Sequence, residues 1–273
     1  LLLQHAIFTN ALSMDFPSGR GLASFLAARG FVVYRLDFRG HGSSYHQSGK
    51  KRDFTYDDIG FGDIPVVTRA LRSWHEGLPL FIVGHSLGGS TTMMLLGQNP
   101  GFPLAGLVAL GVNVWIPKLE DNPGDWNRKK WMLFKMKWLT RFFGRFPAVR
   151  LKMGAEDLPR GFVRQWASWI DANEWLSADR SLNYLDFMGR IRTPIFSLVG
   201  EEDDLMSKPS CVGKFFSLAT QAPVRHLIFS KASHGCQKSG HMSLVAGRSM
   251  ERVWDEIACW LNACLASKVD VKA

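Results

Sequence analysis

Residues 80–89 have the sequence LFIVGHSLGG, and this stretch decides the fold. The apolar run Leu80–Val83 predicts a short buried strand, and the residues after Ser86 predict a helix. Gly84, Ser86 and Gly88 form a G-x-S-x-G motif, in which a tight strand-to-helix turn exposes the serine hydroxyl above the sheet. Glycines flank the serine because side chains at these two positions would crowd the turn. Ser86 is therefore the candidate nucleophile, and the alternative is a serine that only caps the helix.

Short apolar runs alternate with helical patterns along most of the chain. These runs predict strands at Leu1–Ile7, Phe31–Leu36, Leu80–Val83, Leu104–Leu110, Ile195–Val199 and Val224–Phe229. Because the runs are apolar throughout and helical segments separate them, we predict an α/β fold, a mostly parallel sheet with helices on both faces. Ligands bind such sheets at the carboxyl ends of the strands, so the loops that follow the strands are the places to search for a site.

Helix-stop signals delimit the predicted helices. A helix is predicted over Ser18–Arg29, with Ser18 as its N-cap and Gly30 as its C-terminal stop. A second helix is predicted over Asp57–Trp74, where a proline interrupts it. A final long helix is predicted from about Met242 to Leu265.

The segment 114–179 breaks the alternation of strands and helices. It is too long for a simple crossover and its pattern is helical, so we predict a helical cap or lid inserted into a core formed by residues 1–113 and 180–273. Seven of the ten tryptophans lie in this insertion, which favours an aromatic pocket wall for an apolar acyl or alcohol group.

One part of the insertion, residues 128–152, is strongly basic. It contains no acidic residue and nine basic ones: Arg128, Lys129, Lys130, Lys135, Lys137, Arg141, Arg145, Arg150 and Lys152. Trp131, Phe134, Trp138 and Phe142 recur at helical spacing and form one apolar stripe. We expect this stripe to pack on the core or line an acyl pocket, with transient contact to membrane or anionic lipid as the alternative.

Composition limits the remaining classes of protein. With 273 residues, 46% of them hydrophobic, the chain can bury a large core. The net charge of +9 comes with no nucleic-acid-binding motif, so we expect no nucleic-acid partner. We predict a cytoplasmic protein for three reasons: the four cysteines show no spacing that indicates disulfide bonds, no apolar run reaches 20 residues, and no signal peptide is recognisable.

The motifs resemble those of the α/β-hydrolase superfamily over nearly the whole chain. Besides the serine motif, residues 37–44 (DFRGHGSS) are similar to the family's R-G-x-G-x-S stretch, and His5 is similar to the histidine of its H-G pair. Residues 154–159 (GAEDLP) and two downstream tryptophans resemble the cap of a subgroup without an assigned substrate. The resemblance implies an oxyanion hole made by the N–H groups of Leu87 and Ile7. Here Ala6 replaces the family glycine, which makes Phe8 an alternative donor.

The resemblance also implies a catalytic acid and base, in the chain order Ser, Asp, His. The family pattern Gly-x-x-Asp selects Asp203 after the strand at 195–199, with Asp204 and Glu202 as alternatives. A Gly-His pair before an apolar helix selects His241 over His234.

The serine, acid and base together predict a serine hydrolase of the esterase or lipase type, acting through an acyl-enzyme on an ester with an apolar acyl group. Thioester or amide hydrolysis, acyl transfer and a non-catalytic receptor of the same fold are the alternatives. We predict no cofactor and no metal, because His234, Cys236 and His241 lack a second ligand pair.

Overall fold

The computed structural model describes residues 1–44, 53–247 and 249–269. The strands, in chain order, are β1 (Leu2–Gln4), β2 (Tyr34–Leu36), β3 (Phe81–His85), β4 (Gly106–Leu110), β5 (Arg145–Phe146), β6 (Leu158–Pro159), β7 (Ile195–Gly200) and β8 (Val224–Phe229). The α-helices are α1 (Leu22–Ala27), α2 (Ile64–Trp74), α3 (Leu87–Gln98), α4 (Pro123–Phe143), α5 (Arg160–Ala172), α6 (Pro209–Ser217), α7 (Lys231–His234), α8 (Ser243–Ala246) and α9 (Glu251–Val269).

Six strands form one parallel sheet in the order β2-β1-β3-β4-β7-β8, which confirms the predicted fold class. Helices α2, α3 and α6 contribute to the apolar core on one face of the sheet, and α1, α8 and α9 contribute to the core on the other. Helix α3 is buried along most of its length, as expected for the helix after the central strand β3. β5 and β6 form a separate antiparallel pair.

Three predicted helices differ from the observed ones. In the predicted helix Asp57–Trp74, residues Asp58–Asp63 form a π-helix and α2 begins only at Ile64. Helix α1 begins at Leu22 rather than Ser18, because the carboxylate of Asp15 accepts hydrogen bonds from the N–H groups of Gly21 and Ser24 and thereby caps the helix. The final helix is broken into α8 and α9 by a non-helical stretch at Gly247, whose backbone is extended (φ −77°, ψ 154°).

The apolar stripe of α4 points away from the core, so the expectation that it packs inward is wrong. Trp131, Phe134, Trp138 and Phe142 are exposed, whereas the opposite face of the helix is buried through Lys129, Leu133, Met136 and Thr140. This face can be buried because Glu120 neutralises the Lys129 ammonium in a buried ion pair. The helix therefore carries two apolar faces, of which the aliphatic one meets the core.

Among the helices in the described ranges, none combines the length and the hydropathy that crossing a bilayer requires. The segment 114–179 lies between β4 and β7 and contains α4, α5 and the β5–β6 pair. Asp53 and Asp57 fasten α5 to the sheet domain, accepting hydrogen bonds from the Gly161 N–H and the Gln165 side chain at 2.6 and 2.5 Å.

Candidate active site

Ser86 occupies a strained turn between β3 and α3. Its backbone has φ 49° and ψ −103°, a left-handed conformation that a residue with a side chain rarely adopts. The Ser86 N–H donates a hydrogen bond to the carbonyl of Leu110 at the end of β4, at 2.8 Å. The sheet thus holds the turn in place, and strain of this kind is typical of functional sites.

Both glycines of the serine motif are required by close backbone contacts. A Cβ at Gly84 would lie 2.5 Å from the backbone N of Gly89, and a Cβ at Gly88 would lie 2.5 Å from the Cβ of Gln4 on β1. Neither contact is possible for a real side chain, so no larger residue can replace these glycines without moving the turn.

Asp203 and His241, which follow β7 and β8, are brought together above the sheet. The Nδ1–H of His241 donates to Oδ2 of Asp203 at 2.6 Å. The other carboxylate oxygen accepts the N–H groups of Met206 and Ser207 at 3.1 and 3.0 Å, which fixes the orientation of Asp203. Since Nδ1 carries the proton, Nε2 of His241 is the free acceptor, and it is buried with no hydrogen-bond partner among the described residues.

The His241 ring packs on the residue that follows β4, and β4 is the sheet neighbour of β3, which precedes Ser86. A Cβ at Gly111 would approach His241 Nδ1 to 3.1 Å, so the ring packs directly on this glycine. Gly111 follows Leu110, the residue whose carbonyl holds the Ser86 N–H. Because β4 lies between β3 and β7 in the sheet, Ser86, the His241 ring and Asp203 all lie at the carboxyl-end edge of the sheet.

The alternative acids and base lie elsewhere. Glu202 is exposed and pairs with Lys231 at 2.8 Å, an interaction that lowers the pKa of Glu202 to about 2. Asp204 is exposed to solvent, and His234 lies in α7 with its Nδ1 2.7 Å from the Ser233 hydroxyl. None of the three has the buried contact that joins Asp203 to His241.

His85 supports the histidine from below. Its Nε2–H donates to the backbone carbonyl of His241 at 3.2 Å, and the two ring centroids are 4.8 Å apart. Burial of His85, with His241 as a smaller influence, holds its pKa well below the usual range, so its ring is neutral. His85 is thus a fixed donor to the loop that carries His241.

The two predicted oxyanion donors, Leu87 and Ile7, line one small cavity beside Ser86. Leu87 is the first residue of α3, so its N–H has no partner within the helix, and both Leu87 and Ile7 line the cavity beside Ser86. Ala6, which stands where the family has glycine, causes no backbone strain, because the residue of this loop with a left-handed backbone is Phe8, with φ 63°.

The inserted segment holds the loop that carries Ile7. The carbonyl of Phe8 accepts the N–H groups of Ala155 and Glu156 at 2.8 and 3.1 Å. The buried carboxylate of Glu156 also accepts hydrogen bonds from the Asn10 side chain and the Gly42 N–H, at 2.9 and 2.8 Å. Residues of the GAEDLP stretch therefore fix the conformation of the loop that carries Ile7.

His5 is a structural residue at the end of β1. Its Nδ1–H donates to the carbonyl of Ala6 at 2.8 Å, and its Nε2 accepts the N–H of Phe38 at 3.2 Å. Burial is the largest cause that lowers the pKa of His5, to about 3, so the ring is neutral at physiological pH. The histidine joins the loop that carries Ile7 to the loop after β2.

The cavity beside Ser86 is small, and four of its eleven lining side chains are aromatic. Its volume is about 20 Å³, room for about one water-sized group. The lining residues besides those of the serine turn and Ile7 are Tyr56, Ser90, Asn113, Val114, Trp115, Trp166, Trp169 and Met206. The tryptophans of the insertion thus form a wall of the cavity.

Sequence reasoning missed Tyr56 and Asn113. Tyr56 stacks on Phe162 with ring centroids 4.3 Å apart, and no motif marks it. Asn113 follows β4, and a polar residue just after a predicted strand is a signal that could have identified it. Its Nδ2 is buried without a partner among the described residues, which leaves this donor available to a ligand in the cavity.

The described residues contain no group of three or more His, Cys, Asp and Glu side chains arranged to hold a metal ion. The fold and the serine turn are those of the α/β-hydrolase superfamily of serine hydrolases. The Hydrolase_4 family, described as serine aminopeptidase, S33, matches residues 19–238, and the chain belongs to this family.

Relatives differ in the reactions that their names describe. A probable alcohol acetyltransferase of Saccharomyces cerevisiae is 35% identical over 100 residues, which cover 37% of this chain and 26% of that protein. Human monoglyceride lipase is 29% identical over 89 residues, covering 33% of this chain and 28% of the lipase. The chain thus spans about a quarter of the length of these curated relatives.

A solved structure extends the similarity to the whole fold. The monoacylglycerol lipase of Paleococcus ferrophilus superposes with a TM-score of 0.63 and 19% identity, covering 96% of this chain and 93% of that chain. At 19% identity, this similarity establishes a shared fold and nothing further.

Proposed function

We propose that this protein is a carboxylic ester hydrolase that acts through an acyl-enzyme on Ser86. The observation that carries the proposal is the His241–Asp203 hydrogen bond of 2.6 Å, which leaves the buried Nε2 of His241 as a base without a partner in the described chain. Serine needs such a base, since its hydroxyl is a weak nucleophile at its free pKa.

In the proposed reaction, His241 takes the proton of the Ser86 hydroxyl as this attacks the ester carbonyl. Asp203 orients the imidazole and stabilises its cation. The N–H groups of Leu87 and Ile7 bind the developing oxyanion, and His241 returns the proton to the leaving alcohol. Water, activated by the same histidine, then releases the acid.

The structure favours a small acyl group. Room for about one water-sized group beside Ser86 matches the methyl group of an acetyl ester, whereas a longer acyl chain requires the lining side chains to move. The Nδ2 of Asn113 is available to hydrogen-bond an oxygen of the bound ester.

The test compares p-nitrophenyl acetate turnover by wild type, Ser86→Ala and Ser73→Ala, the last a control on the exposed surface of α2. We expect Ser86→Ala to lose at least about a thousandfold in kcat and all labelling by a fluorophosphonate probe. Folded wild-type protein that neither turns over esters nor takes the probe contradicts the proposal and favours a receptor. Because the family description names an aminopeptidase, the same proteins are also assayed with an aminoacyl p-nitroanilide as substrate.

Acyl transfer to an alcohol is the second candidate. It is favoured by the small size of the cavity beside Ser86, which leaves little room for water next to the acyl-enzyme, and by the acetyltransferase among the relatives. Adding ethanol or a longer alcohol to the acetate assay separates the two: a transferase yields mainly the new ester, and a hydrolase yields mainly acetate.

A further inference from the structure

Helix α4 presents large aromatic side chains to solvent. Trp131, Phe134, Trp138 and Phe142 are 63, 51, 61 and 82% exposed. The rings of the first three are in contact, with centroids 5.6 Å apart for Trp131 and Phe134 and 6.4 Å apart for Phe134 and Trp138, and Phe142 lies one turn further along the same face. A continuous exposed apolar patch of this kind marks an interaction surface.

Basic side chains border the aromatic stripe on both sides. Successive residues of an α-helix are rotated by about 100°, so Lys130, Lys137 and Arg141 lie along one side of the stripe, and Arg128 and Lys135 lie along the other. All five are exposed, and none forms a salt bridge with a described residue. We call the stripe with these flanking cations the aromatic-basic face.

A groove between α4 and α5 opens beside this face. Its volume is about 340 Å³, and its lining is Phe134, Lys137, Trp138, Thr140, Arg141, Arg160, Val163 and Arg164. Aromatic rings thus meet four cations there, and none of the described residues that line the groove is acidic. Thr140 is buried at the base of the groove, and its Oγ1 has no hydrogen-bond partner in the described part of the chain.

We propose that the aromatic-basic face docks on the surface of an anionic phospholipid bilayer, with the groove taking the phosphate and upper acyl chain of one lipid. Tryptophan and phenylalanine suit the boundary between head groups and acyl chains, and lysine and arginine suit anionic phosphates. The charge of the aromatic-basic face favours a membrane over a second copy of the chain as its partner. A second copy would bring two cationic faces together, whereas an anionic membrane has the complementary charge. The contact would be peripheral.

Docking on lipid is independent of ester hydrolysis, so the test measures binding without turnover. Ser86→Ala protein is sedimented with phosphatidylcholine vesicles that either contain or lack phosphatidylglycerol, at low and at high salt. We expect binding only with phosphatidylglycerol, and weaker binding at high salt because surface charges are then screened. A parallel measurement of wild-type ester turnover separates failure of docking from failure of the proposed reaction.

Two matched pairs of variants locate the contact. Trp131→Ser/Trp138→Ser removes exposed rings of the face, and Trp74→Ser, whose ring is 66% exposed on α2, is its control. Lys130→Glu/Lys137→Glu reverses two flanking charges, and Arg20→Glu/Arg69→Glu does the same on other exposed surfaces. Each variant of the face should weaken vesicle binding at least about tenfold, and the controls should bind as wild type does.

Several outcomes overturn the proposal. These are equal binding to both kinds of vesicle, binding lost equally in variants and controls, or no binding by folded protein. Dimerisation of the parent protein that Trp131→Ser/Trp138→Ser abolishes, without vesicle binding, assigns the face to a second copy instead. Circular dichroism of each variant shows that it is folded, which keeps every outcome interpretable.

Discussion

His85 Nε2 and the backbone carbonyl of His241 are joined by a hydrogen bond of 3.2 Å, so the residue before the proposed nucleophile holds the loop of the proposed base. Replacing His85 by Phe fills a similar volume but removes the donor. We expect kcat to fall about tenfold, with KM little changed, because the imidazole of His241 loses its fixed position.

The conservative variant His85→Gln retains a side-chain donor and should recover much of the lost kcat. A role of His85 in filling volume alone would give the opposite order, with His85→Phe the more active of the two. Equal unfolding midpoints for the two variants would exclude a difference in stability as the cause.

Gly154 packs against the loop that carries the proposed oxyanion donor Ile7, and a Cβ there would clash with the carbonyl oxygen of Phe8. Gly154→Ala should therefore displace Ile7 and weaken one oxyanion donor, a loss that typically costs about 10²–10³ in kcat. Gly213→Ala, on α6, is the matched control because its Cβ meets no atom within 4 Å. Unchanged kcat in Gly154→Ala would show that the loop tolerates the displacement.

Trp166 limits the cavity beside Ser86, and its ring lies 5.0 Å from that of Trp115. Trp166→Leu should enlarge the cavity and shift the preference from acetyl toward butyryl or hexanoyl p-nitrophenyl esters, measured as the ratio of kcat/KM values. The control is Trp260→Leu, a buried tryptophan on the opposite face of the sheet. A preference for long chains in the wild type would contradict a fixed small acyl site.

His5 makes the stability dependent on pH. The unfolded chain binds a proton on this histidine near pH 6.5, whereas the folded protein does so only near pH 3. Between these values the unfolded state binds more protons, so the free energy of unfolding falls as the pH falls, by up to about 1.4 kcal/mol per pH unit. Urea unfolding of wild type and His5→Gln at pH 7 and pH 5 measures the difference.

We expect a shallower loss of stability in His5→Gln than in wild type. His234→Gln, which changes an accessible histidine on α7, should keep the steeper dependence of the wild type. Parallel pH dependences in all three proteins would mean that burial of His5 does not limit its protonation.

Local sequence was sufficient for most strands and for the serine turn. The prediction for β8 matches its observed bounds, and Gly84, Ser86 and Gly88 were recognisable because the turn imposes its requirements on adjacent residues. Asp203 and His241 follow strand ends, so the topology of a parallel sheet places them near Ser86.

The orientation of α4 could not be predicted from the same kind of pattern. Periodicity locates an apolar face, but this helix has two, and the choice depends on Glu120, which neutralises Lys129 from outside the helix. The break before α9 likewise lies inside a helical pattern, and Asn113 carries no motif. These features depend on contacts between residues that are distant in sequence or that belong to no recognised motif.

The carbonyl of Phe8 is held by two N–H groups of the inserted segment, and Glu156 links the same loop to Gly42. The segment is therefore not an exchangeable module. A chimera that grafts a different segment between residues 113 and 180, as a route to new specificity, would also remove part of the scaffold of the loop that carries Ile7. Such grafts should retain residues 154–156 and vary only the outer helices.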